Sequence, residues 1–143
     1  MMDLLSLIYA RFDQLCVHHS VEKGLESKMM DLLSLIYARF DQLCVHHSVE
    51  KVTSLGETYT CAVGLDAETS QDAALALLQM ALQMRRVVGE IGGKKGNPYV
   101  SVRIGIHAGD MVGGVVDLQA PRFSAVRGNV IDVAQAVCSL GLR

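Results

Sequence analysis

One acidic side chain stands where a tight turn would present it. Glu57 follows Gly56 between two segments rich in β-branched and aromatic residues, Val52-Thr53 and Thr58-Tyr59-Thr60 with Val63. Glycine permits the turn, and a carboxylate at the apex of such a ribbon can face a ligand. Cys44-x-His46-His47, repeated as Cys16-x-His18-His19, carries zinc-type donors. Adjacent ligands at a helix end, with no second pair at fixed spacing, make a poor tetrahedral set. Gly89 to Lys95 has the composition of a phosphate loop, yet the spacing is wrong and neither Ser nor Thr follows the lysine. His107 reads as structural, and Met80 and Met84 as core filler.

These residues need elements to hold them. Leu33, Ile36, Tyr37, Phe40, Leu43 and Cys44 recur at helical spacing, which predicts an amphipathic helix from about Leu32 to His47. Asp31, Ser34, Ala38, Asp41 and Gln42 fall on its other face. A β-hairpin turning at Leu55-Gly56-Glu57 comes next. Thr69 or Ser70 caps a second helix that runs on Ala74, Leu77, Leu78, Ala81, Met84, Val88 and Ile91 to a stop at Gly92-Gly93. Tyr99 to His107 alternates as a strand, with Val100, Val102, Ile104 and Ile106 on one side. Ala108-Gly109-Asp110 then turns into a strand over Met111 to Val116. A short strand around Arg122 to Val126 and a helix from about Asn129 to Leu140 finish the chain. This order predicts an α+β sandwich, an antiparallel sheet with helices on one face.

The oddest feature is a copy. Residues 1–23 recur without a change at 29–51, joined by Gly24-Leu25-Glu26-Ser27-Lys28. Two exact copies are too few for a solenoid and too perfect for one. Only the second runs on into the hairpin, so the division expected is 1–28 as a duplicated helix with its linker and 29–143 as the domain proper. The first copy is then an extra N-terminal helix. It packs on its twin as a helical hairpin, sits loosely, or competes for the twin's place on the sheet.

From Met29 onward the chain resembles the catalytic domain of class III nucleotidyl cyclases, the adenylyl and guanylyl cyclases. The likeness rests on Arg39-Phe40-Asp41-Gln42-Leu43, then Lys51, Gly56, Glu57 and Tyr59, with Gly64-Leu65 closing the strand. A second match is Val102-Arg103-Ile104-Gly105-Ile106-His107-Ala108-Gly109, followed by Val112-Gly113-Gly114-Val115-Val116. The resemblance implies a ferredoxin-like core, β-α-β-β-α-β, whose first strand has no counterpart in this reading.

It also implies a chemistry. Cyclising GTP or ATP to cGMP or cAMP calls for two divalent ions, Mg²⁺ or Mn²⁺, held by an aspartate on the first strand and another at the hairpin turn. The turn position is Glu57, one methylene longer; the strand aspartate finds no match. The family's base-reading positions fall on Thr53 and Ser124, whose hydroxyls both donate and accept. Its transition-state Asn and Arg, four apart on the last helix, fall on Ile131 or Asp132 and on Gln135 or Ala136. Asp132 is the polar candidate there, with Arg127 as the nearby cation. A second cyclase half, the same or different, is the implied partner.

Length and composition fit one such domain. The chain has 143 residues, half of them hydrophobic, and a net charge of −2, which excludes a nucleic-acid footprint. No apolar run approaches the ~18 residues of a membrane span, and Met-Met-Asp does not read as a signal peptide. The four cysteines lack a disulfide framework, so reduced thiols in the cytoplasm are expected, including as the cytosolic part of a larger membrane protein. Two functions are consistent with these residues: cyclic nucleotide formation, weak or absent in this chain by itself, or a pseudo-cyclase that dimerises and binds nucleotide without turnover.

Overall fold

Eleven residues of one sequence fold in two ways. The computed structural model describes residues 4–14, 23–63, 72–94, 100–110, 112–115, 123–127 and 129–140. In the first copy of the repeat, Leu4–Gln14 (LLSLIYARFDQ) is a strand, β1. The same residues in the second copy, Leu32 to Gln42, lie inside helix α1, Lys23–His47. The expected extra N-terminal helix over 1–28 is therefore overturned, and the first strand of the pattern is present. The expected linker is helical as well, since α1 runs unbroken through Gly24 to Lys28.

The physical reason lies in an ambiguous pattern. From Leu4 to Ala10 only Ser6 interrupts an apolar run, which suits a strand covered on both faces as well as a helix. Intrinsic propensity is a weak prior, and tertiary pairing decides between the two. The second copy ends as a helix and runs directly on into the hairpin. Ser48, in the left-handed region at φ 54°, ends α1. The Val49 N–H bonds Cys44 O at 2.9 Å and the Ser48 N–H bonds Val45 O at 3.4 Å, a Schellman stop that delivers the chain into the hairpin.

The hairpin is β2, Glu50–Leu55, and β3, Thr58–Val63. After it come α2, Asp72–Lys94, and β4, Val100–Asp110. The chain closes with β5, Val112–Val115, β6, Phe123–Arg127, and α3, Val130–Leu140. The main sheet is antiparallel in the order β2-β3-β1-β4, and β5-β6 forms a separate ribbon. β1 sits between two partners: Ile8 faces Cys61 of β3 and Ile106 of β4. This is the α+β, ferredoxin-like arrangement expected.

Several boundaries move. Ala108-Gly109-Asp110 continues β4 instead of turning, paired with Leu4 to Ser6. α2 runs past Gly92-Gly93 to Lys94, so the segment with phosphate-loop composition is largely helix. The proposed caps Thr69 and Ser70 lie outside the described residues.

The helices divide between the two faces of the sheet. Ile36, Phe40 and Cys44 of α1 pack with Leu77, Met80, Met84 and Val88 of α2 over Tyr59, Cys61 and Val63. Val102, Ile104 and Ile106 line the same core. α3 lies on the opposite face, where Val130 and Ala134 pack on Ala62 with Val52 and Ile131. The single-faced arrangement expected therefore holds for α1 and α2 but not for α3. On α2, Met80 and Val87 are buried while Ala74 and Leu78 are exposed, so its buried stripe is rotated from the predicted one.

Candidate functional site

The hairpin tip is built by a two-residue turn. Leu55 pairs with Thr58, leaving Gly56 and Glu57 as the turn. Gly56 takes φ 54° and Glu57 does not enter positive φ, the pattern of a II′ turn with glycine first. No atom lies within 4 Å of a Cβ built on Gly56, so backbone conformation and not space requires glycine there. Tyr37 of α1 donates its hydroxyl to Gly56 O at 2.7 Å, which ties the tip to the helix. Glu57 is half-buried at that tip.

The motif residues assemble behind the tip as a brace. Tyr59, fully buried, donates its hydroxyl to Asp41 Oδ1 at 2.7 Å. Lys51 Nζ stands 2.9 Å from the same carboxylate and 5.2 Å from the centre of the Tyr59 ring. The Phe40 ring meets Tyr59 edge-on at 5.3 Å. Asp41 thus takes part in packing the helix onto the hairpin, although the helical period puts it on the outer face. Burial, with the Cys44 thiol and the Asp41 carboxylate alongside, pushes the Tyr59 phenol far up. It stays a donor at any working pH. Both ends of the Lys51–Asp41 pair are partly exposed, so that pair adds little; the buried Tyr59 bond matters more. Tyr59→Phe is expected to lower stability by about 1–2 kcal/mol, read as a fall in the urea midpoint without a change in slope. A midpoint equal to that of the parent chain would show that the bond is not made.

The other candidate positions gather at the far side of β2. Thr53 is exposed on β2, opposite Thr60. Ser124 lies on β6 at the register position of Gly114, and Arg127 at that of Val112. β2 and β6 are neighbours, so the strands bearing Thr53 and Ser124 adjoin. α3 begins directly after β6. Ile131 is committed to the small core over Ala62, while Asp132 is exposed, so of the two aligned positions the acid is the one available to a ligand. Thr53 and Asp132 are therefore drawn toward one region by β2, β6 and the start of α3. Glu57 stands apart at the tip, three residues beyond Ser54 and on the order of 10 Å along the ribbon from Thr53.

One acid escaped the reading of the sequence. Asp13 lies in β1 opposite Ser101, two residues past Arg11, whose partner on β3 is Thr58. It is thus at the end of the first strand nearest the hairpin turn. The signal that could have found it was the two-sided apolar run before it. The zinc reading gains nothing: His47 Nε2 meets Gln83 at 3.2 Å, His46 stacks edge-on with His47, and no group of three metal-type donors occurs among the described residues. Cys16, His18 and His19 lie outside them. Among the described residues no helix is long and apolar enough to cross a membrane.

Comparison with known proteins identifies the family and the fold. The family model described as the adenylate and guanylate cyclase catalytic domain matches residues 24–143. Guanylyl cyclase C of Cavia porcellus is 34% identical over 142 residues, 98% of this chain and 10% of that protein. Guanylate cyclase soluble subunit alpha-1 of Canis lupus familiaris is 37% identical over 127 residues, 89% of this chain and 14% of that one. The chain therefore spans only 10% and 14% of the length of these two relatives. The crystal structure of the guanylate cyclase domain of RhGC from Catenaria anguillulae in complex with GTP superposes with a TM-score of 0.73. It shares 19% identity over 97% of this chain and 74% of that one, a likeness of fold.

Proposed function

This chain belongs to the adenylate and guanylate cyclase catalytic domain family, and from that premise we propose that it is the metal-holding half of a cyclase pair. The reaction is cyclisation of GTP or ATP to cGMP or cAMP, in which the ribose 3′-oxygen bonds the α-phosphorus and pyrophosphate leaves. The observation that carries the reading is Glu57 at the apex of a turn whose backbone is pinned by Tyr37. Catalysis by positioning loses about a hundredfold for an ångström of misplacement, so a fixed tip is worth having.

The donor set fits a hard cation. Glu57 offers carboxylate oxygens at the tip, and Asp13 stands on the neighbouring strand end. Mg²⁺ is commonly held by one or two carboxylates with substrate phosphates completing the shell. Mg²⁺ or Mn²⁺ would supply charge neutralisation at the triphosphate and acidify the attacking hydroxyl. The chain's own residues do the rest: Glu57 and Asp13 orient, Thr53 and Ser124 meet the purine edge, and their hydroxyls accept either base. Arg127, the last residue of β6, and Asp132, in the first turn of α3, are the polar residues proposed for the transition-state position. Gln135 cannot supply the charge of an arginine, so the transition-state contacts come from the second half. The setting proposed is cytosolic.

The test is turnover. With Mg²⁺ or Mn²⁺ and GTP or ATP, the chain alone should form little cyclic nucleotide, and mixing with a half that carries the Asn/Arg pair should restore it. Glu57→Ala in that mixture should cut the rate about a hundredfold or more, whereas Glu57→Asp keeps the charge. An unchanged rate for Glu57→Ala overturns the metal role. Nucleotide binding without turnover in every pairing supports the second reading, a pseudo-cyclase, which the exposed acid Asp132 and the uncharged Gln135 on α3 favour.

A further inference from the structure

α2 is apolar on two sides. Leu77, Met80, Met84 and Val88 enter the core. Leu75, Leu78 and Leu82 point away from it and are 55%, 52% and 60% exposed. They stand at i, i+3 and i+7, so they form one stripe along the outer face of the helix. The outer face of a surface helix ordinarily carries polar groups, and contiguous apolar side chains there mark an interaction surface. The stripe ends at Arg85 and Arg86, both exposed.

We propose that this stripe is covered by the same stripe of a second copy of the chain, the two α2 helices running antiparallel about a two-fold axis. The pattern of charge along α2 selects that occupant. With Leu75 and Leu82 at the a positions of a heptad and Leu78 at d, Asp72, Gln79 and Arg86 all fall at e. Gln79 is midway between the other two. A two-fold axis through it therefore brings position 72 of each chain to position 86 of its partner, an acid to a base on both sides. The same axis sets Leu78 beside the partner's Leu82, twice over, and closes each end with Leu75 and the aliphatic stem of Arg85. Parallel pairing in register sets Arg85 and Arg86 against their own copies instead, which like charge disfavours. On the other edge of the stripe Ala74 and Ala81 are small, which leaves room for close approach. The seam lies across the sheet from α3, so it does not occupy the region of Thr53 and Asp132. About four turns of paired helix bury on the order of 1,000 Å² in total, the small end of specific interfaces, and the dimer is accordingly weak.

Sedimentation velocity of the full chain, without nucleotide, is the test. Between about 1 and about 200 μM it should show a monomer–dimer equilibrium that stops at the dimer, with a Kd on the order of 10 μM. Leu78→Glu should raise that Kd by about a hundredfold, and its urea midpoint should match that of the parent, because Leu78 is exposed in the monomer. Asp72→Arg and Arg86→Asp should each weaken self-association by about tenfold by setting like charges against each other. Mixed in equal amounts, the two single variants should form a heterodimer as strong as the parent dimer, since each then offers the charge that the other lacks. Asp72→Arg also loses a favourable first-turn charge, so the mixture and not the single variant is decisive. The proposal is overturned by a chain that stays monomeric throughout, by growth beyond the dimer, or by a mixture that associates no better than its components. A dimer that survives Leu78→Glu, as one formed across a cyclase cleft would, overturns it as well. So does a monomer that binds phosphatidylglycerol vesicles through Leu78, which would make the stripe a membrane surface. None of these readouts involves cyclic nucleotide, so the outcome is independent of the activity proposed above.

Discussion

Gly105→Ala is expected to displace α3 and to lower stability by about 3 kcal/mol, the upper end for overpacking a close-packed site. A Cβ on Gly105 would collide with Ala134 O and would stand 2.6 Å from Cys138 N and 2.9 Å from Cys138 Cβ. Two of these atoms are helix backbone, which cannot swing aside as the tip of a side chain does. The whole helix must move, and with it go the bonds that seat its C-terminal half. Arg103 donates to Ser139 O at 3.2 Å, and Cys138 donates to Arg103 O at 3.3 Å. A domain of this size loses roughly 3 °C of Tm per kcal/mol, so the midpoint should fall by roughly 10 °C. Gly89→Ala is the control of opposite sign. Its Cβ meets nothing within 4 Å on α2, and removing a helical glycine should stabilise by up to ~1 kcal/mol. Equal midpoints for Gly105→Ala and the parent would mean that α3 does not cross β4 at Gly105.

Deleting residues 1–14 is expected to abolish the cooperative unfolding transition. β1 lies between β3 and β4, so its loss leaves two unpaired strand edges in the middle of the sheet. A spare helix, as the duplication suggests at first, could be removed at almost no cost. The two pictures therefore differ by the whole stability of the domain. A milder variant makes the same distinction. Ile8→Pro removes a ladder donor at the strand's centre, where Ile8 faces both Cys61 and Ile106, and should cost about 3 kcal/mol or more. Amide exchange of β3 and β4 is the direct readout, and full protection in the deleted chain would contradict the topology.

Helix α1 and the hairpin were legible because their periods are clean and their punctuation is strong. Phe40 and Ile36 repeat at helical spacing, and Gly56 demands its turn. The family's motif was legible for a related reason: Asp41, Lys51 and Tyr59 form one hydrogen-bonded unit, so the spacing between them is fixed by contact. β1 was not legible. Its residues are those of α1, and no local rule can give one string two conformations; only the vacancy between β3 and β4 distinguishes the copies. Asp13 was lost along with it. The side taken by α3 was likewise hidden, since Gly105 marks a close approach without saying which element approaches. The alternation of Val102, Ile104 and Ile106 identified one covered face of β4 and left the cover of the other unassigned.

The bond from Tyr37 to Gly56 O makes the ribbon's apex an attachment of the helix. α1 has 25 residues, a stiff rod of about 37 Å at 1.5 Å per residue. A small axial twist of that rod would reach the apex through Tyr37. Tyr37→Phe would release the apex carbonyl while the bond from Tyr59 to Asp41 still holds the helix to the hairpin.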